Sequence, residues 1–81
     1  MTITITKKAT GESRTMNWRG SRNYARTACS FLYNLSRSER GEFALTTEDG
    51  REINMAKACA AAAAEMNAIR NGRRVPPLPD L

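Results

Sequence analysis

The sequence predicts a small α+β protein in which two hairpins form a short antiparallel sheet and two helices pack on one face of it, in the order ββαββα. Strict alternation of threonine and isoleucine over residues 2–6 is typical of a half-buried strand. The pair Asp49-Gly50 is the strongest turn signal in the chain and indicates a second hairpin. Apolar residues recur every three or four positions in two longer stretches, which indicates two amphipathic helices.

The first hairpin comprises two short strands. The strand over residues 2–6 is β-branched throughout and directs Ile3 and Ile5 toward the core. Residues 9–12 contain a glycine and predict a turn, and residues 14–18 form the return strand. The sheet is therefore expected to begin with an inward-facing row of isoleucines.

The first predicted helix has two different faces. Ser21 can cap its N-terminus, and the helix should end within residues 36–40, because serine is a weak helix former and Gly41 can adopt a left-handed cap. One face is apolar and consists of Tyr24, Ala28, Phe31, Leu32 and Leu35. The opposite face is polar and basic; it consists of Arg22, Arg26, Ser30, Tyr33 and Arg37, with Arg19 and Arg40 extending the line at its two ends.

The second hairpin follows the first helix. Residues 43–47 form a strand and residues 51–53 a short return strand. Between them, Glu48-Asp49-Gly50-Arg51 predicts a type I′ turn, because an Asp-Gly pair favours positive φ at both central positions.

The second predicted helix runs from Met55 to about Asn71, with Asn54 as its N-cap. Five consecutive alanines over residues 60–64 favour helix and keep it slim. We therefore expect this helix to lie very close to the first helix or flat on the sheet.

The chain is expected to form one domain over residues 1–74, near the lower size limit for a chain that folds without disulfides or metals. Residues 75–81 are rich in proline and predict an extended tail. The spacing of Pro76 and Pro79 allows docking into an aromatic groove of a partner. The alternative is a simple helix stop whose leucines pack on the parent domain.

The predicted core collects the inward-facing residues of both hairpins and both helices. It comprises Ile3, Ile5, Met16, Trp18, Tyr24, Ala28, Phe31, Leu32, Leu35, Phe43, Leu45, Ile53, Cys59, Ala62, Met66 and Ile69. Cys29 and Cys59 fall inside the two helices, and we expect them to be small core residues rather than a disulfide or a metal pair.

The residue types present argue against an enzyme. The chain has no histidine, no glycine-rich phosphate loop, no nucleophile elbow and no Cys-x-x-Cys motif. No cofactor and no metal is therefore expected. The acidic hairpin of Glu48, Asp49 and Glu52 does not match a calcium-binding loop and is either a solvated turn or a secondary acidic contact for a partner.

Charge is distributed unevenly along the chain. The net charge is +5, but residues 1–40 carry eight basic and two acidic side chains, whereas residues 41–66 carry two basic and five acidic ones. Ten of the thirteen basic residues are arginine, which suits bidentate contact with phosphate or carboxylate. A coding bias toward arginine and alanine explains the arginine count equally well.

These charges define the candidate site, a basic surface on the first helix and the first hairpin. It consists of Arg19, Arg22, Arg26, Tyr33, Arg37, Arg40, Lys7, Lys8 and Arg14. Arginines would bind phosphate in a salt-dependent manner, and Tyr33, with Trp18, would provide a stacking surface for bases. The surface fits three partners: an acidic protein, a bacterial ribonucleoprotein complex, or DNA or RNA directly. The alternative is a solvated helix face that keeps a small protein soluble.

In its size, its short sheet with one or two helices and its lack of a catalytic motif, the chain resembles the small inhibitors of phages and mobile elements, among them the anti-CRISPR proteins. The resemblance implies stoichiometric binding to a bacterial defence complex and a block of target recognition. No residue motif carries it, so no functional residue is transferred. Direct nucleic-acid binding is the second hypothesis and a phage structural or assembly subunit the third.

Two further features bear on location. No run of about 18 apolar residues is present, so no membrane span is expected. The N-terminal stretch carries its charge after a short alternating segment, which is not the order of a signal peptide. We therefore expect a cytoplasmic protein, in a bacterial host cell if it is encoded by a phage.

Overall fold

The computed structural model describes residues 1–20 and 28–81, and its main layer is a four-stranded antiparallel sheet. The strands are β1 (Thr2–Lys7), β2 (Ser13–Asn17), β3 (Phe43–Thr47) and β4 (Glu52–Ile53), in the spatial order β2-β1-β3-β4. The helices are α1 (Ala28–Asn34), α2 (Arg37–Arg40) and α3 (Met55–Arg70). The predicted α+β class and the order of two hairpins, each followed by helix, are confirmed.

The register of the sheet separates an apolar face from a threonine-rich face. Ile5 lies opposite Arg14 on β2 and opposite Leu45 on β3, so these three residues share one face. The alternate residues of β1 are threonines, and they lie on the other face. The helices pack on the isoleucine face, because residues of α1 and α3 join its core cluster.

The core follows the prediction closely. The predicted core residues that are fully or nearly fully buried are Ile3, Ile5, Trp18, Ala28, Leu32, Leu35, Leu45, Ile53, Cys59 and Ala62. The predicted residues Met16, Phe31, Phe43 and Met66 are half-buried and pack against the core. The prediction for Ile69 is wrong, because this side chain is 36% exposed. The buried face of α3 is centred on Ala58, Ala62 and Glu65, which leaves Ile69 at its margin in the last turn. Tyr24 lies outside the described residues.

The first helix ends earlier than predicted. Rather than continuing into residues 36–40, α1 ends at Asn34, and a separate short helix, α2, begins at Arg37. Ser36 causes the break, since its hydroxyl accepts a hydrogen bond from the Glu39 backbone N–H at 3.3 Å and so caps α2. The predicted N-cap Ser21 lies outside the described residues.

The second predicted helix corresponds to α3, and it agrees with the prediction at both ends. The Asn54 side chain caps α3 by accepting a hydrogen bond from the Lys57 backbone N–H at 3.1 Å. The helix ends at Arg70, and Gly72 follows with φ of +65°. α3 packs against α1, as the alanine run predicts. In the part of the chain that the structure describes, no helix is long and apolar enough to cross a membrane.

The proline-rich tail folds back along α3. It has no helix or strand, and Leu78 and Leu81 pack against the core cluster. The Asn54 backbone N–H donates to the Leu81 carbonyl at 3.3 Å, so the tail reaches from one end of α3 to the other. Of the two alternatives for this segment, the structure shows the packing of its leucines on the parent domain.

The turn of the second hairpin differs in type from the prediction. Gly50 has a φ of +84°, but Asp49 is not among the described residues with positive φ, so the type I′ prediction is wrong. The Gly50 N–H donates to the Thr47 carbonyl at 3.0 Å, and the Thr47 N–H donates to the Arg51 carbonyl at 2.9 Å. Of the two central residues of the predicted turn, Asp49 and Gly50, only Gly50 is therefore in the left-handed region.

The substitution Gly50→Ala is expected to lower the free energy of unfolding by about 1 kcal/mol. No atom lies within 4 Å of the added Cβ, so the cost is purely conformational. The matched control is Gly41→Ala, because Gly41 has an ordinary φ of −72° and not the left-handed cap conformation that the sequence analysis allows for it. We expect the control to be neutral or slightly stabilising in urea unfolding. An equal loss in the two variants would contradict this explanation.

Candidate functional site

Four residues of the predicted basic surface gather at one end of the sheet. Lys7 ends β1, Lys8 follows it, Arg14 lies on β2 and Arg40 ends α2. The Lys8 backbone N–H donates to the Glu42 carbonyl at 2.9 Å, which holds the end of β1 against the connection between α2 and β3. We call Lys7, Lys8, Arg14 and Arg40 the basic end.

A first cleft, of about 590 Å³, opens at the basic end between β1, β2 and α1. Its floor is apolar and consists of Ile5, Met16, Phe31 and Phe43. The two phenylalanine rings pack edge to face, with centroids 5.4 Å apart and planes at 89°. Lys7, Arg14 and Glu12 line the rim. The sequence places both phenylalanines in the core, and the structure shows that they also face a cleft.

A second cleft, of about 490 Å³, lies on the other side of Phe43. Lys8 and Arg40 line it, and so do Glu52 and Leu81. Phe43 therefore belongs to both clefts. The two clefts together make the basic end a concave surface with apolar parts rather than a flat charged face.

Within residues 1–20 and 28–81, the cations of the basic end form no ion pairs with carboxylates. Among the described residues, the ion pairs are Arg19–Glu65 and Arg51–Asp80, and neither involves the basic end. The Nε atom of Arg40 is buried without a hydrogen-bond partner in the same part of the chain. Carboxylates also lie nearby: Glu12 and Glu52 line the clefts, and Glu42 is adjacent to Lys8 through a backbone hydrogen bond. The four cations of the basic end can accept an anionic group.

Arg19 and Trp18 have a different role from the one predicted. Glu65 is 2% exposed, and its Oε2 atom accepts hydrogen bonds from Trp18 Nε1 at 3.1 Å and from Arg19 Nε at 2.8 Å. Trp18 is fully buried and therefore cannot stack on a base. The charge of Arg19 is compensated by Glu65, so Arg19 contributes little to a basic surface.

Glu65 is a residue that the sequence analysis missed. The sequence does carry a signal for Glu65, which is its spacing on the helix. Glu65 lies three residues after Ala62 and three before Ala68, and both alanines are buried. A carboxylate at the centre of an apolar helix face predicts a buried cationic partner. The partner itself, 46 residues away in sequence, could not be read from that spacing.

Two further residues of the predicted surface, Tyr33 and Arg37, lie on the helices. Tyr33 lies on α1, and the Arg70 guanidinium carbon sits 5.7 Å from its ring centroid, so the ring contacts a cation of α3. Arg37 is exposed at the start of α2. Arg22 and Arg26 lie outside the described residues.

The acidic hairpin remains a solvent-exposed feature. Glu48, Asp49 and Glu52 are all exposed. The Asp49 carboxylate accepts a hydrogen bond from the Thr47 hydroxyl, and this bond lowers the pKa of Asp49. No group of three histidine, cysteine, aspartate or glutamate side chains within residues 1–20 and 28–81 could hold a metal ion.

Both cysteines are free and buried, as predicted for core residues. The Cys29 thiol donates to the Ala62 carbonyl at 3.6 Å. Burial raises the pKa of Cys29 to about 11, the nearby Glu65 carboxylate adds to the rise, and Arg19 opposes it. Burial also raises the pKa of Cys59, against the opposing effect of Arg40. Neither thiol is therefore an activated nucleophile at neutral pH.

We expect the free energy of unfolding to fall as the pH rises from 9 to about 11, the ordinary and the raised pKa of Cys29. In this window the unfolded chain releases the thiol proton while the folded chain keeps it, so high pH favours unfolding. Urea unfolding of the wild type and of Cys29→Ala across this range measures the effect. The alanine variant should lose less stability with pH, and identical pH profiles would contradict the assignment.

The site thus combines a rim that carries cations with an apolar, partly aromatic floor. Comparison of the chain with protein-family models, with curated proteins and with solved structures found no match. The function of the chain is therefore inferred from its own residues.

Proposed function

We propose that this chain is a non-enzymatic binding protein that takes an anionic partner on the basic end of its sheet. The observation that carries the proposal is the grouping of Lys7, Lys8, Arg14 and Arg40 around two clefts with apolar parts. Clustered cations attract an anionic surface over a distance, and the apolar floor supplies contact area once the partner has docked.

An acidic protein surface fits this site better than a nucleic acid does. The clefts are concave and are lined in part by apolar residues, so they offer protein side chains a contact area that the phosphate backbone of a nucleic acid cannot use. Protein interfaces combine aromatic residues and arginine in an apolar centre with a charged rim, and Phe31, Phe43 and Arg14 provide these residue types.

The specific partner we propose is a bacterial nucleoprotein complex of the CRISPR type, whose recognition of its nucleic-acid target the chain would block. The support is the resemblance in size and architecture to phage inhibitors, together with a cationic surface suited to the acidic parts of such a complex. A target-cleavage assay with purified effector complexes tests it. At equimolar chain, at least one complex should lose cleavage, and full cleavage by every complex would refute this partner.

Direct binding of single-stranded nucleic acid is the second candidate function. Phe31 and Phe43 are half-buried and lie beside Lys7 and Arg14, a combination that can stack bases and hold phosphates. Such binding would weaken steeply as salt is added, because phosphate contacts release counterions.

Fluorescence anisotropy with two matched variants tests the proposed surface. Lys8→Glu/Arg14→Glu alters the basic end, and Arg73→Glu/Arg74→Glu makes the same charge change at exposed positions after α3. The probes are labelled polyglutamate and labelled single- and double-stranded DNA and RNA, each across a salt series. We expect the wild type to prefer polyglutamate. The first variant should lose about tenfold in affinity, worth about 1.4 kcal/mol, and the control about twofold or less.

Other results would point elsewhere. Equal losses in the two variants would mean that net charge, rather than the basic end, drives binding. Preference for single-stranded nucleic acid with a steep salt dependence would select the second candidate function. Absence of binding to all probes would refute both candidates.

A further inference from the structure

We infer that the partner presents an extended acidic segment with one bulky apolar side chain, and that this side chain inserts into the first cleft. The inference rests on the proposed function of the basic end and specifies the chemistry of its partner. It is drawn from the floor of the cleft, from the position of its cations and from the way the chain's own tail contacts the same end.

The floor of the first cleft is built to receive an apolar group. Its volume of about 590 Å³ is in the range of sites that take small ligands or anchoring side chains. Ile5 is buried in the core, and Met16, Phe31 and Phe43 pack against that core, so the floor is formed before any partner binds. Met16 adds an adaptable side chain that can adjust to the shape of an inserted group.

The pairing of the strands fixes two cations, Arg14 and Lys7, beside this floor. Arg14 lies directly opposite Ile5 across β1 and β2, and Lys7 lies directly opposite Phe43 across β1 and β3. Directly opposed residues of an antiparallel pair have their Cα atoms only about 5 Å apart. Carboxylates on both sides of an apolar anchor would therefore meet Arg14 and Lys7 while the anchor occupies the floor.

The chain's own tail makes a related contact in the second cleft. Leu81 lines that cleft beside Lys8 and Arg40. The preceding residue is acidic, and the Asp80 carboxylate lies 3.7 Å from Arg51. The tail is extended, and its Leu81 carbonyl accepts a hydrogen bond from the Asn54 N–H. At this end of the molecule the tail thus packs an apolar side chain, Leu81, beside two cations, whereas its acidic residue faces Arg51. The first cleft has room for an apolar side chain of a second segment.

Two labelled hexapeptides test the inference: Glu-Asp-Phe-Asp-Glu-Gly and the same peptide with alanine in place of phenylalanine. Anisotropy should show about tenfold tighter binding of the phenylalanine peptide, because only this peptide fills the floor. In NMR titrations of the wild type, the methyl signals of Ile5 and Met16 should shift with the phenylalanine peptide and not with the alanine peptide. Arg14→Glu should weaken binding more than the control Arg74→Glu does.

The outcomes separate this inference from the proposed function. Equal binding of the two peptides, without shifts of the Ile5 and Met16 methyl groups, refutes the anchor and leaves the proposed function in place. Binding of polyglutamate without binding of either peptide also refutes the anchor and leaves the proposed function in place. Failure of both peptides and of polyglutamate refutes the inference and the proposed function together. The NMR readout uses the wild type, so it does not depend on whether a floor variant folds.

Discussion

Replacing Glu65 by alanine should lower the free energy of unfolding by about 3 kcal/mol or more, a large part of the stability of a domain this small. The carboxylate is 2% exposed and is the acceptor for both Trp18 Nε1 and Arg19 Nε. Its removal leaves a buried indole N–H unpaired and an arginine partly buried without its counter-charge. Urea unfolding followed by Trp18 fluorescence measures the loss.

Two controls separate the buried pair from a general effect of lost charge. Glu48→Ala removes an exposed carboxylate and should change stability by less than about 0.5 kcal/mol. Arg19→Met/Glu65→Gln removes both charges but keeps an acceptor for Trp18, so it should be more stable than Glu65→Ala. Stability of Glu65→Ala within about 0.5 kcal/mol of the wild type would show that the pair is structurally unimportant.

The buried pair and the basic end lie at opposite ends of the first hairpin. Arg14 is near the start of β2 and Trp18 follows its end, so the two residues are four positions, or about 13 Å, apart along the strand. Charge reversals at the basic end therefore leave the contacts of Glu65 intact. For this reason, a loss of binding in Lys8→Glu/Arg14→Glu can be assigned to the surface rather than to unfolding.

Most of the fold could be predicted because its signals are local. The alternation of β1, the cap at Asn54 and the turn at Gly50 depend on neighbouring residues, and the structure bears out each element. The predicted turn type and the predicted end of α1 were wrong. At Ser36, capping of a new helix prevailed over continuation of the apolar stripe.

The site was harder to predict because it depends on contacts between distant segments. Helical periodicity places Arg19, Tyr33 and Arg40 on one line, but it does not show what packs against each of them. The structure pairs Arg19 with Glu65, sets Tyr33 beside Arg70 and brings Arg40 to the second cleft. Basic residues of the first hairpin, predicted only as an addition to the helix surface, form most of the basic end.

The close contact between α1 and α3 leads to the second large stability effect. Ala62 is fully buried, and its carbonyl accepts a hydrogen bond from the Cys29 thiol across the interface. Small side chains at this interface let the two helices approach closely, so added atoms have no space without displacement of a helix. Ala62→Leu should therefore lower the free energy of unfolding by about 3 kcal/mol, at the upper end of the usual cost of overpacking.

The alanine run supplies its own control for this substitution. Ala60 lies two positions earlier on the same helix and is exposed, and leucine is nearly as good a helix former as alanine. Ala60→Leu should therefore change the free energy of unfolding by less than about 0.5 kcal/mol. Parallel urea titrations of the two variants measure the difference. Equal stability of the two would mean that α1 and α3 separate without cost, and that the alanine run serves helix formation rather than close packing.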